Sequence, residues 1–167
     1  MIRVLAAAVT AFVLLSQPVS ADGHDHEEGE QSRHEGEAHD VRAVHAWTRA
    51  TSDMTALVFV EIENNSDRDI AITGGESGIA DSIELVGFQL KDGEPAYIAL
   101  PPVPIKAGTE MTLTPDGLAL RLNGVKQPLV KGEEHEIEIE FDFGHVGMLF
   151  QVEDADARNH SHAGHQH

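Results

Sequence analysis

The stretch "HEIEIEFDFG", residues 135–144, decides the fold class of this chain. Its apolar and acidic side chains alternate, so that one face carries Ile137, Ile139, Phe141 and Phe143 and the other carries Glu136, Glu138, Glu140 and Asp142. Because successive side chains of a strand point to opposite faces, this pattern predicts a half-buried β-strand. Between residues 41 and 152, no window of ten or more residues shows the apolar spacing of an amphipathic helix.

The flanking sequence continues the strand pattern. The segment "TALVFVEIEN" (55–64) ends at the turn "NNSDRD", and "SIELVGFQL" (82–90) ends at "KDGEP". Further strands are expected in "DIAITGG", "AYIAL", "TEMTLTP", "DGLALRLNG" and "HVGMLFQV", and "PPVPIKAG" is interpreted as a connection. Strands repeated about every 8–12 residues between Gly, Pro and Asn turns are typical of a sandwich or barrel. We therefore expect an all-β fold, an antiparallel β-sandwich.

Composition divides the chain into four segments. Residues 1–21 have one positive charge, an apolar run and a small-residue end at Ala21, which predicts a cleaved signal peptide rather than a membrane anchor. Residues 22–40 contain eight carboxylates, four histidines and three glycines, and such a segment is expected to be disordered. Residues 41–152 form the expected sandwich domain, and residues 153–167 a second disordered tail. The mature protein is predicted to be exported to the periplasm without a membrane span.

Charge and residue types exclude several functions. The formal net charge is -18 at pH 7, and a chain this acidic repels nucleic acid and attracts cations. The chain has no cysteine, which excludes disulfides and thiolate chemistry. No Gly-x-Ser-x-Gly elbow, phosphate-binding loop or HExxH motif is present, so we expect no enzyme.

Several motifs together resemble a known family. In order, they are "HAWTRA" (45–50), "ALVFVEIEN", "SIELV", "PIKAGTEMTLTPDGLALRLNGVKQPLVKGE" and "IEIEFDFG". Their order and spacing are similar to those of the periplasmic copper chaperones called PCu(A)C, over residues 41 to about 152. The resemblance implies a cupredoxin-like β-sandwich and a role in delivering copper, typically toward the copper centre of cytochrome c oxidase.

The copper ligands of that family are not conserved in this chain. The family binds copper with two histidines and two methionines, a soft ligand set that suits Cu(I). The corresponding positions here are Val86, Tyr97, Ala119 and Arg121, and a guanidinium repels any cation. Alternation in "GLALRLNG" is expected to leave Ala119 and Arg121 on the outer face of the domain. The resemblance therefore implies a chaperone-like fold that lacks the family's site.

The two polar ends are the predicted metal site. Eight of the eleven histidines lie there, and imidazole with carboxylate suits Cu(II) and Zn(II). The predicted ligands are His24, His26, His34, His39, His160, His162, His165 and His167. Copper, as Cu(I) or Cu(II), is the expected ion, and zinc is the alternative. The expected receivers are a cytochrome oxidase copper-site assembly factor or a metal transporter.

The remaining histidines and functions stay open at this stage. His45 is interpreted as a strand-edge residue or as a ligand shared with the N-terminal segment, and His135 as exposed. His145 and Met148 could form a substitute soft site, provided that a bulge near Gly147 turns them to one face. The alternatives to a copper chaperone or buffer are a zinc-binding accessory of a metal transporter and a protein-interaction module of the same fold.

Overall fold

A computed structural model describes residues 33–160. This part of the chain contains eleven β-strands: β1 (Glu35–Ala38), β2 (Val41–Arg49), β3 (Thr55–Asn64), β4 (Ile70–Glu76), β5 (Ser82–Lys91), β6 (Glu94–Ala99), β7 (Val103–Ile105), β8 (Thr109–Thr112), β9 (Leu118–Asn123), β10 (Glu134–Phe141) and β11 (Gly144–Glu153). The all-β prediction is confirmed. Within the described range, no helix is long and apolar enough to cross a bilayer.

The strands form two layers that are joined at both edges. One layer contains β1, β2, β11, β10, β4 and β7, and the other contains β6, β5, β9, β3 and β8. A single residue pair, Gly75 with Ile83, joins β4 to β5, whereas β2 pairs along most of its length with β3. The layers are antiparallel except that β11 runs parallel to β2, with Gln151 opposite Trp47. Strand β2 thus belongs to both layers, and it carries the candidate site.

The main core lies between the layers, and β10 illustrates how the sequence builds it. Ile137, Ile139 and Phe141 are buried on the inner face, while the glutamates between them point outward. A second, smaller apolar cluster lies on the other face of β3, β5 and β9. It contains Trp47, Phe59, Val86 and Ala119, with Ala157 packed against it. The fold therefore buries both faces of the second layer in this region.

The ordered domain is longer than residues 41–152. Disorder was expected through Asp40, but β1 pairs with β2 over four residues, and Glu35 lies opposite Val44. Beyond Val152, β11 continues to Glu153, and a turn follows in which the Ala157 amide donates to the Asp154 carbonyl. The segment "PPVPIKAG" also contains a strand, β7, rather than a connection alone. Strands and turns of the described range therefore extend beyond residues 41–152 at both ends.

Candidate metal centre

His45 lies at an irregularity of β2. The register between β2 and β3 shifts between Val44 and Trp47, and His45 has a φ of 56°. A positive φ is uncommon for a residue other than glycine, and bulges often redirect a side chain near a functional site. The bulge leaves the His45 side chain exposed, although its neighbours Val44 and Ala46 are buried. The Nδ1 of His45 is 3.6 Å from Oε2 of Glu61 on β3.

His160 lies beside His45 although 115 positions separate them in the sequence. Their ring centroids are 6.0 Å apart. The Nδ1 atom of His160 is 3.1 Å from Oε1 of Glu153, and both side chains are only 8% exposed. The two side chains are therefore in close contact away from solvent. The end of the described chain is therefore packed onto the domain, contrary to the expectation of a disordered tail.

The two imidazoles share an arrangement that is common among metal ligands. A ligating histidine usually turns one ring nitrogen toward a carboxylate, which orients the ring and leaves the other nitrogen as the coordinating atom. His45 and His160 each have a carboxylate at Nδ1, so Nε2 is the atom that this arrangement would use. Two imidazoles that bind one ion at about 2.0–2.1 Å have ring centroids up to about 6 Å apart. The observed spacing lies at that limit.

The described residues provide only part of a coordination sphere. Between residues 33 and 160, no group of three or more His, Asp or Glu side chains is arranged to hold a metal ion. Trp47, Thr114 and Arg158 line a cavity of about 180 Å³ together with His45 and His160. A complete site at this position needs further ligands. In the sequence, His162 follows His160 after a single residue.

The other predicted ligands in the described range have separate surroundings. The Nε2 of His34 is 3.2 Å from Oε1 of Glu134, and the His39 ring packs edge-on against Phe143. These contacts place the His34 side chain at β10 and the His39 ring at the turn that follows β10. The remaining predicted ligands, His24, His26, His162, His165 and His167, lie outside the described residues.

Both ends of the described chain nevertheless meet β2 at the same place. Because Glu35 is opposite Val44, the next register position brings the backbone of His34 level with the bulge at His45. The Arg33 carbonyl accepts a hydrogen bond from the Leu149 amide of the neighbouring strand β11. His160 approaches the same bulge from the other end of the chain. The fold therefore brings the two ends of the described range, at His34 and His160, to the same part of β2.

The substitute site of His145 and Met148 does not form. Strands β10 and β11 pair without a register shift from Glu134–Gln151 to Phe141–Gly144, so no bulge occurs at Gly147. Met148 is buried in the main core, whereas His145 is exposed with its Nε2 3.7 Å from Glu138. Their side chains thus lie on opposite faces of β11. His135, which was expected to be exposed, instead packs on the ring of Phe150 at 5.7 Å.

The four positions aligned with copper ligands lie together but have the wrong chemistry. Val86 is opposite Ala119 across β5 and β9, and Tyr97 packs against the same cluster. Nη1 of Arg121 donates to the Tyr97 carbonyl at 3.1 Å. Such convergence is expected if these positions correspond to one ancestral site. Ala119 was predicted to be on the outer face, but it is fully buried because the second apolar cluster covers that face.

The positive charge of Arg121 is balanced by the carboxylate of Glu84. Its Nη2 and Nε donate to Oε1 of Glu84 at 2.8 and 3.1 Å. Hydrogen bonds from Arg121 and then Asn123 lower the pKa of Glu84, so that this carboxylate stays ionised near neutral pH. The guanidinium and its carboxylate therefore form an ion pair at the position where the resemblance implies a metal ligand. Because arginine stays protonated, its side chain cannot coordinate a metal ion.

Sequence comparison identifies the relatives of this chain. A family model described as "Putative lipoprotein LpqE-like" matches residues 41–149, well over half of the chain. A protein of Leifsonia xyli subsp. xyli described as "Putative lipoprotein Lxx21020" is 26% identical over 130 residues, which cover 77% of this chain and 78% of that protein. The matched region coincides with the sandwich domain and stops before the segment that carries His160.

Solved structures with the same fold are PCuAC domains. The copper-bound PCuAC domain from PmoF2 superposes with a TM-score of 0.61 at 19% identity, covering 72% of this chain and 98% of that domain. The solution structure of apo-DR1885 from Deinococcus radiodurans gives a TM-score of 0.53 at 22% identity, covering 90% and 97%. These likenesses establish the fold, and they agree with the cupredoxin-like sandwich expected from the sequence motifs.

Proposed function

The chain belongs to the LpqE-like family, and from that premise we propose that it is an exported copper-binding protein without enzymatic activity. It acts as a copper chaperone or buffer. The copper is held at the histidine-rich ends, centred on His45 and His160, and not at the family position occupied by Val86 and Ala119. The observation that carries this proposal is the pair of neighbouring imidazoles, with ring centroids 6.0 Å apart and a glutamate oxygen within 4 Å of each Nδ1.

Further observations support the placement at the C-terminal end. His45 and His160 supply two ligands, and His162, His165 and His167 follow within seven residues of His160. Imidazole ligands favour Cu(II) over other divalent ions of the first transition row. The net charge of -18 raises the local concentration of any cation. Because both ends of the described chain reach the bulge in β2, His24 and His26 are proposed as additional, weaker ligands.

Copper is preferred to zinc because the similar PCuAC domain from PmoF2 is described as copper-bound. Export, with residues 1–21 as a signal peptide and the periplasm as the destination, is supported by the lipoprotein descriptions of the family and of the Leifsonia relative. These 167 residues contain no cysteine that could carry a thioether-linked lipid. The receiver of the copper is proposed to be an oxidase assembly factor or a metal transporter.

The proposal is tested by metal titration of the chain from residue 22 onward, using the fluorescence of Trp47. This is the only tryptophan of the chain, and it lines the same cavity as His45 and His160. Bound Cu(II) should quench its emission strongly, whereas Zn(II), which has a filled d shell, should not. We expect His45→Ala to weaken Cu(II) binding at least about 10-fold. Losing a metal ligand should cost at least as much affinity as losing a residue that only hydrogen-bonds to a ligand, which typically costs about 10-fold or more.

His145→Ala is the matched control for this titration. Like His45, His145 is an exposed histidine on a strand with a glutamate near one ring nitrogen. Its removal should leave the Cu(II) affinity within about twofold of the parent, in the range of an uninvolved surface change. Equal losses in the two variants, or quenching that persists unchanged in His45→Ala, would contradict the proposed site. Tight binding of Zn(II) in preference to copper would favour the zinc-buffer alternative.

Copper binding should also depend on pH. An imidazole must lose its proton before it can bind a metal, and free imidazole side chains titrate near pH 6.5. We therefore expect the apparent Cu(II) affinity to fall steadily as the pH drops from about 7.5 to about 5. Isothermal titration at several pH values, in a buffer that does not bind copper, measures the effect. An affinity that is constant across this range would indicate carboxylate or thioether ligands instead.

A further inference from the structure

A second cavity lies on the other side of the segment that carries His160. It has a volume of about 460 Å³ and is formed by the end of β2, the following loop, the start of β3 and the facing strand β6. Arg49, Thr51, Tyr97 and Arg121 are among the residues that line it, and Ala155 closes one side. Pockets for small molecules generally have volumes of about 300–1,000 Å³. The cavity is therefore large enough for a compact organic ligand.

The charges that line this cavity are unusual for such an acidic protein. The chain has 11 basic and 29 acidic residues, yet two of its arginines face one cavity. Arg121 is paired with Glu84, but Arg49 makes its side-chain hydrogen bond through Nε to the Ala157 carbonyl at 2.7 Å. In the described part of the chain, no carboxylate is within ion-pair distance of Arg49. Asp53 lines the same cavity as the only acidic side chain of the wall.

The position of the Arg49 charge is supported by its effect on Tyr97. Burial raises the pKa of Tyr97, and the positive charge of Arg49 partly opposes that rise. Arg49 and Tyr97 both line the cavity. The Nε of Arg49 is already used, so its two Nη groups carry four N–H donors that can form the parallel pair of bonds which arginine makes to carboxylates.

The rest of the wall combines hydroxyl and apolar groups. Thr51 and Thr55 provide hydroxyls, while Leu57 and Pro95 provide apolar surface beside Tyr97. An inorganic anion such as phosphate gains nothing from contact with an apolar wall. A carboxylate on a small apolar body can contact both the guanidinium and the apolar part of the wall. We propose that this cavity binds a small organic carboxylate, with its carboxylate on the Arg49 guanidinium and its apolar body against Leu57, Pro95 and Tyr97.

The test uses benzoate as the probe for the chain from residue 22 onward. Amide chemical shifts are followed by two-dimensional NMR, with benzyl alcohol as the neutral analogue and inorganic phosphate as an anion without an apolar body. We expect benzoate to shift the amides of Ala50, Thr51 and Thr55 saturably, and the other two probes to leave them unchanged. Arg49→Gln should weaken benzoate binding at least about 10-fold, since it removes a charge-assisted pair of hydrogen bonds. Arg49→Lys keeps the positive charge but lacks the planar guanidinium that can donate two parallel hydrogen bonds. Its benzoate affinity should therefore lie between those of the parent chain and Arg49→Gln.

Arg68→Gln is the matched control, because Arg68 stacks on Phe143 away from the cavity wall. It should bind benzoate like the parent chain, and the dispersed amide spectrum of each variant verifies that it is folded. Absence of saturable shifts at the highest benzoate concentration, or equal binding by Arg49→Gln and the parent, would overturn the proposal. Shifts caused equally by phosphate would show a general anion site without the apolar recognition proposed here. None of these outcomes depends on copper binding, so the two proposals can fail separately.

Discussion

Replacing His160, His162, His165 and His167 together by asparagine is expected to lower the copper affinity at least about 100-fold. The four changes remove the proposed ligand His160, which lies beside His45, and the three histidines that follow it in the sequence. Each imidazole that coordinates the ion contributes at least about 10-fold, and the losses partly overlap. Competition against a chelator of known affinity gives the dissociation constant for Cu(I) and Cu(II) in the same preparation.

The matched variant changes the four histidines at the other end, His24, His26, His34 and His39, to asparagine. Its loss should be clearly smaller, because the proposed site is centred on His45 and His160, whereas His34 contacts Glu134 and the ring of His39 packs on Phe143. Since His160 is buried beside Glu153, a third variant that keeps His160 and changes only the three later histidines separates metal ligation from packing. A larger loss from the N-terminal set than from the C-terminal set would reverse the assignment.

Phe59→Ala is expected to reduce the free energy of unfolding by about 3–5 kcal/mol, as for other buried phenylalanines. Phe59 is 1% exposed, and its ring packs on Trp47 with a centroid distance of 4.8 Å. The loss leaves a cavity beneath Trp47, Val86 and Ala119, which the surrounding strands cannot fill because they are hydrogen-bonded on both sides. Urea unfolding followed by circular dichroism measures the change without relying on the altered tryptophan environment.

Leu90→Ala is the control for this measurement. Leu90 is a large apolar residue of β5 but is 66% exposed, so its truncation should change the stability by no more than about 0.5 kcal/mol. If Phe59→Ala cost as little as Leu90→Ala, the second apolar cluster would not contribute to the stability of the fold. That result would also remove the argument that Ala119 is enclosed by apolar packing.

The strands with regular alternation could be predicted from the sequence, and the two that were missed show why. Strand β3 has the predicted bounds, since β-branched residues extend from one turn to the next. Strand β1 has a single buried position, Gly36, where an added Cβ would be 2.5 Å from the Gly147 carbonyl oxygen. A glycine required for close backbone approach gives no hydrophobic signal, so β1 resembles a disordered acidic segment. Strand β7 is short and interrupted by proline.

The candidate site was only partly predictable for a similar reason. His160 was among the predicted ligands, but its packing against Glu153 depends on a turn in a polar segment with little apolar content. The role of His45 depends on a bulge that breaks the alternation of β2, and only the three-dimensional pairing with β3 reveals it. The replaced family ligands, in contrast, followed directly from the motif alignment, because a change of residue type is visible without a structure.

The hydrogen bond from Arg49 to the Ala157 carbonyl has a consequence for stoichiometry. It holds the backbone three residues before His160, so the later histidines are tethered to a fixed point on the domain. If His45 and His160 bind an ion as proposed, the imidazole of His162, two residues further along, is supplied within the same molecule, at an effective concentration of roughly millimolar or more. One copper per chain should therefore bind at protein concentrations far below those needed to bridge two chains. A dilute exported protein could thus capture copper without first forming a dimer.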